Sequence, residues 1–325
     1  MKILRRPAAL PPHSALCIGA FDGLHRGHRC LLQRARDRAP RLCVLTFEPH
    51  PAAVLAPDRA PPRLQSPDQR ARIAAALGVD ELVELPFDRQ VASMSAEAFV
   101  REYLIDGLRP ATVVVGADFR FGKGAAGTPE LLRRELAEAG IGLEVVAQLD
   151  DPEGRKIGSS AIREHLLAGR VEEAAELLGY AHAVSGPVRH GARRGRQLGY
   201  PTANIAASGL RPAPGVYAGW LTVLGADGDT APPLRAVANL GTNPTFADAA
   251  QSTTGVEAHA IGAKLGESLY DRNVEFAFVH RLRDEKRFEG ADALRAAIEA
   301  DLAEAERILA HADPRQRRPT PVEAS

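Results

Sequence analysis

The sequence predicts an α/β protein in two parts: a doubly wound parallel sheet, then a small antiparallel β-barrel or sandwich followed by a helix. Three observations carry this reading. Up to about Tyr180, continuous apolar runs alternate with amphipathic stretches, the pattern of strands buried on both faces and joined by crossover helices. Beyond it, glycines and prolines punctuate segments of strand character. Leu294, Ile298, Leu302 and Ala305 then recur at helical spacing. A length of 325 residues favours two domains over one.

In the first part, strands are expected at residues 16–18, 42–47, 82–85, 112–115 and 143–146. Helices are expected between and after them at 27–38, 67–77, 96–105, 129–139 and 161–167. A ligand site of such a sheet lies at the carboxyl ends of its strands. In the second part, strands are expected at 183–188, 215–224, 234–240, 256–261 and 273–279. The expected domains are 1–181 and 182–310, with 311–325 a disordered tail, because its proline- and arginine-rich composition has no periodicity.

Composition narrows the partners. Formal charge is zero overall, so no global field steers the chain toward nucleic acid or a membrane surface. The opening apolar run is cut by Pro7, Pro11 and Pro12 and does not read as a secretion signal, and no apolar stretch approaches a membrane span. Three cysteines, all within the first 43 residues, make no disulfide framework; reduced, buried thiols in a cytoplasmic setting are expected. Oligomeric state is left open.

Chemistry concentrates first at Gly19-Ala-Phe-Asp-Gly-Leu-His-Arg-Gly-His28, where an apolar strand breaks at glycines and restarts as a helix. Three-residue spacing puts His25 and His28 on one helical face, the glycines let a ligand approach the backbone, and free N–H groups at the helix start attract anions. Phosphate is the expected ligand. Zinc is the competing reading of His-x-x-His, but it wants three or four ligands, and Cys17, Cys30 and Cys43 form no close pair.

Four weaker patterns follow. Gly116-Ala-Asp-Phe-Arg-Phe-Gly122 follows a strand and offers Asp118 and glycines to a nucleotide pocket, although a plain glycine-rich loop explains it equally. Gly158-Ser-Ser-Ala-Ile-Arg163 opens a helix: capping accounts for one serine, and Ser159, Ser160 and Arg163 together also suit a triphosphate. Arg189, His190, Arg193, Arg194 and Arg196 form a basic stretch before Gly199-Tyr-Pro-Thr-Ala-Asn204, where Thr202 and Asn204 are placed to serve one Mg²⁺–phosphate cluster. Val256 to Ala260 alternates as a half-buried strand, with Glu257 and His259 on one side; Glu257 there suits a general base toward an alcohol.

Taken in order with Thr46-Phe-Glu-Pro-His-Pro51, Gly215-Val-Tyr217, Asn239-Leu-Gly-Thr-Asn-Pro-Thr245, Leu269-Tyr270 and Arg283-Asp-Glu-Lys-Arg-Phe288, these motifs resemble the prokaryotic bifunctional riboflavin kinase/FMN adenylyltransferase family, from about Ala15 to Leu309. The resemblance implies a Rossmann-like nucleotidyltransferase domain and a C-terminal flavokinase barrel. It implies ATP as co-substrate, Mg²⁺, and riboflavin and FMN as substrates. Carried over residue by residue, His25, His28 and Glu257 are catalytic. Gly19, Phe21, Asp22, Gly23, Asp118, Ser159, Ser160, Arg163, Arg196, Thr202 and Asn204 bind nucleotide, Thr202 and Asn204 also hold the metal, and Asn243 and Arg283 bind flavin. The chain departs from the family pattern at Ala20, Gly158 and Gly262. A monofunctional nucleotidyltransferase with the barrel as a binding module is the alternative. A nucleic-acid-binding barrel is a further rival, weakened because Tyr200 is the aromatic nearest the basic stretch.

Overall fold

The computed structural model describes residues 1–190, 199–225, 228–229, 232–241, 255–263 and 269–322. The chain divides into two compact units. One comprises Met1–Arg63, Pro67–Ser159 and residues 319–322; the other comprises Leu64–Ser66 and Ser160–Arg318.

The first unit is built on six strands: β1 (Lys2–Leu4), β2 (Ser14–Ile18), β3 (Arg41–Glu48), β4 (Glu81–Pro86), β5 (Thr112–Gly116) and β6 (Gly142–Val146). They lie in the order β1-β4-β3-β2-β5-β6, every neighbouring pair parallel. Helices α1 (Arg26–Arg38), α2 (Pro51–Leu55), α3 (Pro67–Ala76), α4 (Arg89–Ser93), α5 (Ala96–Phe99, continued by a π-helix over Val100–Leu108) and α6 (Pro129–Glu138) connect them. On one face Leu16, Ile18, Leu45, Val83 and Val113 are buried with Phe99, Leu104, Leu132 and Leu136. On the other, Ala15, Cys17, Val44, Leu82 and Val114 are buried with Leu31, Leu32, Ala74 and Leu77. Burial on both faces explains the uninterrupted apolar runs, and each fully buried Leu, Ile or Val contributes about 1.5–3 kcal/mol.

From β2 the sheet grows through β3 to β4, and the chain then returns to place β5 on the opposite side of β2. The order therefore reverses between β2 and β5. Their carboxyl ends flank a crevice in the position where such sheets bind ligands.

The second unit begins with α7 (Ser159–Leu167), whose first residue groups with the first unit, and α8 (Val171–Leu178). Its strands are β7 (Ala183–Arg189), β8 (Ala203–Ile205), β9 (Gly215–Gly225), β10 (Gly228–Asp229), β11 (Leu234–Leu240), β12 (Val256–Ala260) and β13 (Asn273–Arg283). The order β9-β11-β12-β8-β7-β13, closed by pairing of β13 with β9, makes an antiparallel barrel, with β10 attached to β9. Tyr217, Phe276 and Phe278 fill the lumen edge to face. The terminal helix α9 (Ala291–Leu309) lies on the outer face, burying Ala305 and Leu309 against Ala218, Trp220, Val237 and Ala277.

Three features differ from the sequence expectation. β1 is too short to show a periodicity, and β8 coincides with the Pro-Thr-Ala-Asn motif. Residues 311–322, expected as a disordered tail, instead carry a 3-10 turn over Pro314–Arg317 that accepts a bond from the Ala181 N–H, and Val322 is buried in the first unit with its N–H on the Leu77 carbonyl. Helix α8, which the sequence did not mark, and α7 from Ser160 onward, both within the stretch read with the first domain, group with the barrel, where Glu172 of α8 pairs with His280 of β13. Cys17 and Cys43 are buried as expected, and burial pushes both thiols up, Cys43 to about 12.

Closure of the barrel depends on Gly219, where a Cβ would stand 2.1 Å from the Ala277 carbonyl oxygen and 2.8 Å from the Phe276 ring. Gly219→Val should destabilise the second unit by about 3 kcal/mol or more. The urea transition followed by Trp220, the single tryptophan of the chain, reads this directly; an unshifted midpoint would contradict closure at this contact.

Candidate active sites

In the first unit the loop from β2 to α1 is held by bonds from outside it. The Gly19 N–H donates to the Leu45 carbonyl at 3.1 Å, the Thr46 hydroxyl to the Ala20 carbonyl at 3.0 Å, and the Ser159 hydroxyl to the Asp22 carbonyl at 2.7 Å. Phe21, Asp22 and Leu24 are buried, and Phe21 and Leu24 join Gly23 in the left-handed region, a strain that persists only where surroundings enforce it. Gly27 is required by proximity: a Cβ there would stand 3.2 Å from the His25 ring and 3.3 Å from the Ile157 carbonyl oxygen.

His25 caps α1, its Nδ1 accepting from the His28 N–H. The two imidazoles stack with ring centroids 3.7 Å apart, and Phe21 leans on His28 at 4.9 Å. Burial, and then the neighbouring His25 and Lys156, hold His28 well below the usual histidine range, so its ring is neutral at pH 7. Among the described residues its Nδ1, which is buried, has no hydrogen-bond partner.

Asp118, after β5, forms a close ion pair with Lys156, and the bond to that ammonium lowers the Asp118 carboxyl below its usual range. The end of β3 is fixed by buried charges: Arg70, 1% exposed, donates to Glu48 at 3.0 Å and to Glu84 at 2.6 Å, and Arg63 grips both oxygens of Glu48. Ser160 and Arg163 continue α7 in the second unit.

In the second unit the barrel register builds one polar row. Glu257 on β12 lies opposite Asn204 on β8 and Asn239 on β11, and Asn204 lies opposite Arg189 on β7. Glu257, Asn204 and Asn239 are half-buried, and they share the outer face that carries α9, since Val237 of that face pairs with His259, two residues along from Glu257. His259 Nδ1 bonds the Pro201 carbonyl at 2.8 Å, which fixes the approach to Thr202 and Asn204. Tyr200 meets the His259 ring edge on and donates to Glu299 of α9 at 3.0 Å. Arg283, expected at the flavin, forks onto Asp301 of α9 at 2.7–3.1 Å with its guanidinium over Phe288. Arg189 pairs with Asp271, and His190 packs on Tyr270. Arg193, Arg194, Arg196 and Asn243 lie outside the described residues.

Sequence reasoning brought Gly19 through His28, Asp118 and Ser159 to one unit and Thr202, Asn204 and Glu257 to the other. It missed Lys156, Asn239 and the Glu48–Arg63–Arg70–Glu84 cluster. Lys156 had one available signal, as one of five lysines in a chain that otherwise uses arginine.

Comparison with known proteins gives each part of the chain a family. A family model for FAD synthetase matches residues 8–161 and one for riboflavin kinase matches residues 178–309. The bifunctional riboflavin kinase/FMN adenylyltransferase of Pseudomonas fluorescens is 37% identical over 318 residues, 95% of this chain and 98% of that protein. The chain belongs to the bifunctional riboflavin kinase/FMN adenylyltransferase family. Relatives of the same name from Escherichia coli K12 (38% identical, 88% of this chain and 90% of that protein) and Bacillus subtilis (33%, 92% and 93%) also match over most of their length.

A solved structure described as a macrolide-efflux protein from Streptococcus pneumoniae superposes with a TM-score of 0.81 at 29% identity, covering 96% of this chain and 99% of that one. Among the described residues no helix is long and apolar enough to cross a membrane. The enzyme makes FAD from riboflavin in two ATP-dependent steps, phosphorylation to FMN and adenylylation of FMN. Both family models are present, which sets aside the monofunctional alternative.

The depressed His28 value has a measurable sign. Unfolded histidine titrates near about 6.5. The folded state binds fewer protons than the unfolded state just below that pH, so stability falls as pH drops through this window. His28 followed by NMR should stay neutral from pH 8 down past 6.5, and His28→Asn should lose less stability between pH 7.5 and 5.5 than wild type; a titration at or above 6.5 contradicts the burial described.

Proposed function

We propose that adenylyl transfer takes place at the β2–α1 loop of the first unit and phosphorylation at the Asn204–Glu257–Asn239 row of the second. The first assignment is carried by the stacked His25 and His28 at the start of α1, where helix N–H groups and the partnerless His28 Nδ1 suit phosphate oxygens. FMN already carries an anionic phosphate, so this site needs alignment and charge neutralisation more than a base. Gly19, Phe21, Asp22, Gly23, Asp118 and Ser159 of this unit bind the nucleotide. His25 and His28 stabilise the transferring phosphoryl group.

Riboflavin presents a neutral ribityl hydroxyl, a poor nucleophile. Glu257, half-buried on the outer face of the barrel, takes its proton. Thr202, Asn204 and Arg196 are assigned to the phosphates of ATP, and Asn243 and Arg283 to the flavin; the Arg283–Asp301 pair favours a supporting role for that arginine.

Thr202 and Asn204 offer hard oxygen donors, which fits Mg²⁺ arriving with ATP better than a resident ion; among the described residues no cluster of three or more His, Cys, Asp or Glu is placed to hold a metal. Bound there, Mg²⁺ supplies charge neutralisation of the phosphates. The free thiols support a cytoplasmic location. Nucleic acid and membrane have no part in this reading.

Variants separate the two sites. His28→Ala should abolish FAD formation from FMN while FMN formation from riboflavin continues, and Glu257→Gln should do the reverse, both followed by chromatography of flavins. Equal loss of both activities in either variant contradicts separate sites, and normal kinase turnover in Glu257→Gln refutes its role as base.

A further inference from the structure

The geometry points to Lys156 as a further catalytic residue of adenylyl transfer, a cation held in reserve by Asp118 for the pyrophosphate that leaves. The inference rests on the reading of the β2–α1 loop as the adenylylation site and adds to it a residue that no sequence motif singled out.

Three contacts fix where Lys156 stands. Ile157 places its carbonyl against Gly27, between the two histidines. Ser159 is bonded to Asp22 in the loop itself. Lys156 precedes both, on the strand-like approach closed by the Asp150–Lys156 bridge, and its ammonium pairs with Asp118 at the end of β5. The side chain is half exposed and so is its partner, which leaves the pair free to exchange in water.

The chemistry requires such a group. An FMN phosphate oxygen attacks the α-phosphorus of ATP, one P–O bond forms, and the bond to the β-phosphate bridging oxygen breaks. No proton need move, but negative charge gathers on the departing pyrophosphate. His25 and His28 donate hydrogen bonds, yet His28 is neutral at pH 7 and brings no charge. Lys156 is the ammonium whose field reaches the His28 ring. A triphosphate in the crevice competes with Asp118 for it with more charge and more acceptor oxygens. Asp118 is then a resting partner that keeps the lysine aimed at the crevice between turnovers.

Purified full-length Lys156→Met and Lys156→Arg, with His28→Ala as reference, test this with FMN plus MgATP and, separately, with riboflavin plus MgATP. Lys156→Met should slow FAD formation by about a hundredfold and weaken inhibition by added inorganic pyrophosphate by about tenfold, 1.4 kcal/mol. Lys156→Arg should restore most of both. FMN formation from riboflavin, an internal check that the chain is folded, should stay at the wild-type rate. Wild-type FAD formation or wild-type pyrophosphate inhibition in Lys156→Met overturns the inference, as does failure of arginine to rescue. If His28→Ala also leaves FAD formation intact, it is the placement of the whole site that fails; if only Lys156→Met does, the loss is confined to the lysine.

Discussion

One hydrogen bond, from the Ser159 hydroxyl to the Asp22 carbonyl, joins segments 137 residues apart and sets the geometry of the β2–α1 loop. The loop it holds is unfavourable by itself, with Phe21 and Leu24 in left-handed conformations and two imidazoles stacked under partial burial. Such a loop stays in place only if it is over-determined. Bonds from β3 hold its first half and the bond from Ser159 holds its second, so the histidines at the head of α1 are presented as a rigid pair. The buried Arg70 serves the same end at one remove, fixing Glu48 and with it the end of β3. Removing one partner of such a buried ionic cluster typically costs about 3–5 kcal/mol, because the survivors keep their desolvation penalty.

On the proposed assignment the two sites meet different problems with ATP. Adenylyl transfer has a charged nucleophile, and the first unit offers N–H donors, the neutral His28 imidazole and the Lys156 ammonium. Phosphorylation has an uncharged alcohol, and the second unit places a carboxylate beside two amides on neighbouring strands. A parallel sheet offers loops and helix starts at one edge, which suits the first task. An antiparallel barrel offers cross-strand rows, which suits the second.

Most of the architecture was legible in the sequence, for a physical reason. Strands buried on both faces are largely apolar, so β2 to β6 announced themselves, and glycines and prolines marked many of the turns between elements. The histidine motif was equally plain, since its residue types and spacing are local. What escaped was set by contacts between distant parts of the chain. Lys156 acquires meaning only from Asp118, 38 residues earlier. Asn239 does so only from the pairing of β11 with β12. Arg283 looked like a free cation for a ligand and is found gripping Asp301, a helix residue whose partner no local pattern reveals. The ordered return of Val322 to the first unit depends on an apolar side chain in a segment whose composition otherwise argues for solvent.

Glu257 owes its place to strand pairing and to nothing in the connections on either side. Counting residues along β12 is therefore a stricter requirement on this half of the molecule than the make-up of any turn. A single amino acid inserted ahead of Val256 within that strand would rotate the carboxylate into the aromatic lumen and present Val256 in its stead, whereas additions in the connections leave the carboxylate where it stands. The unusual glycine at position 262, just past the end of β12, falls on the tolerant side of that divide.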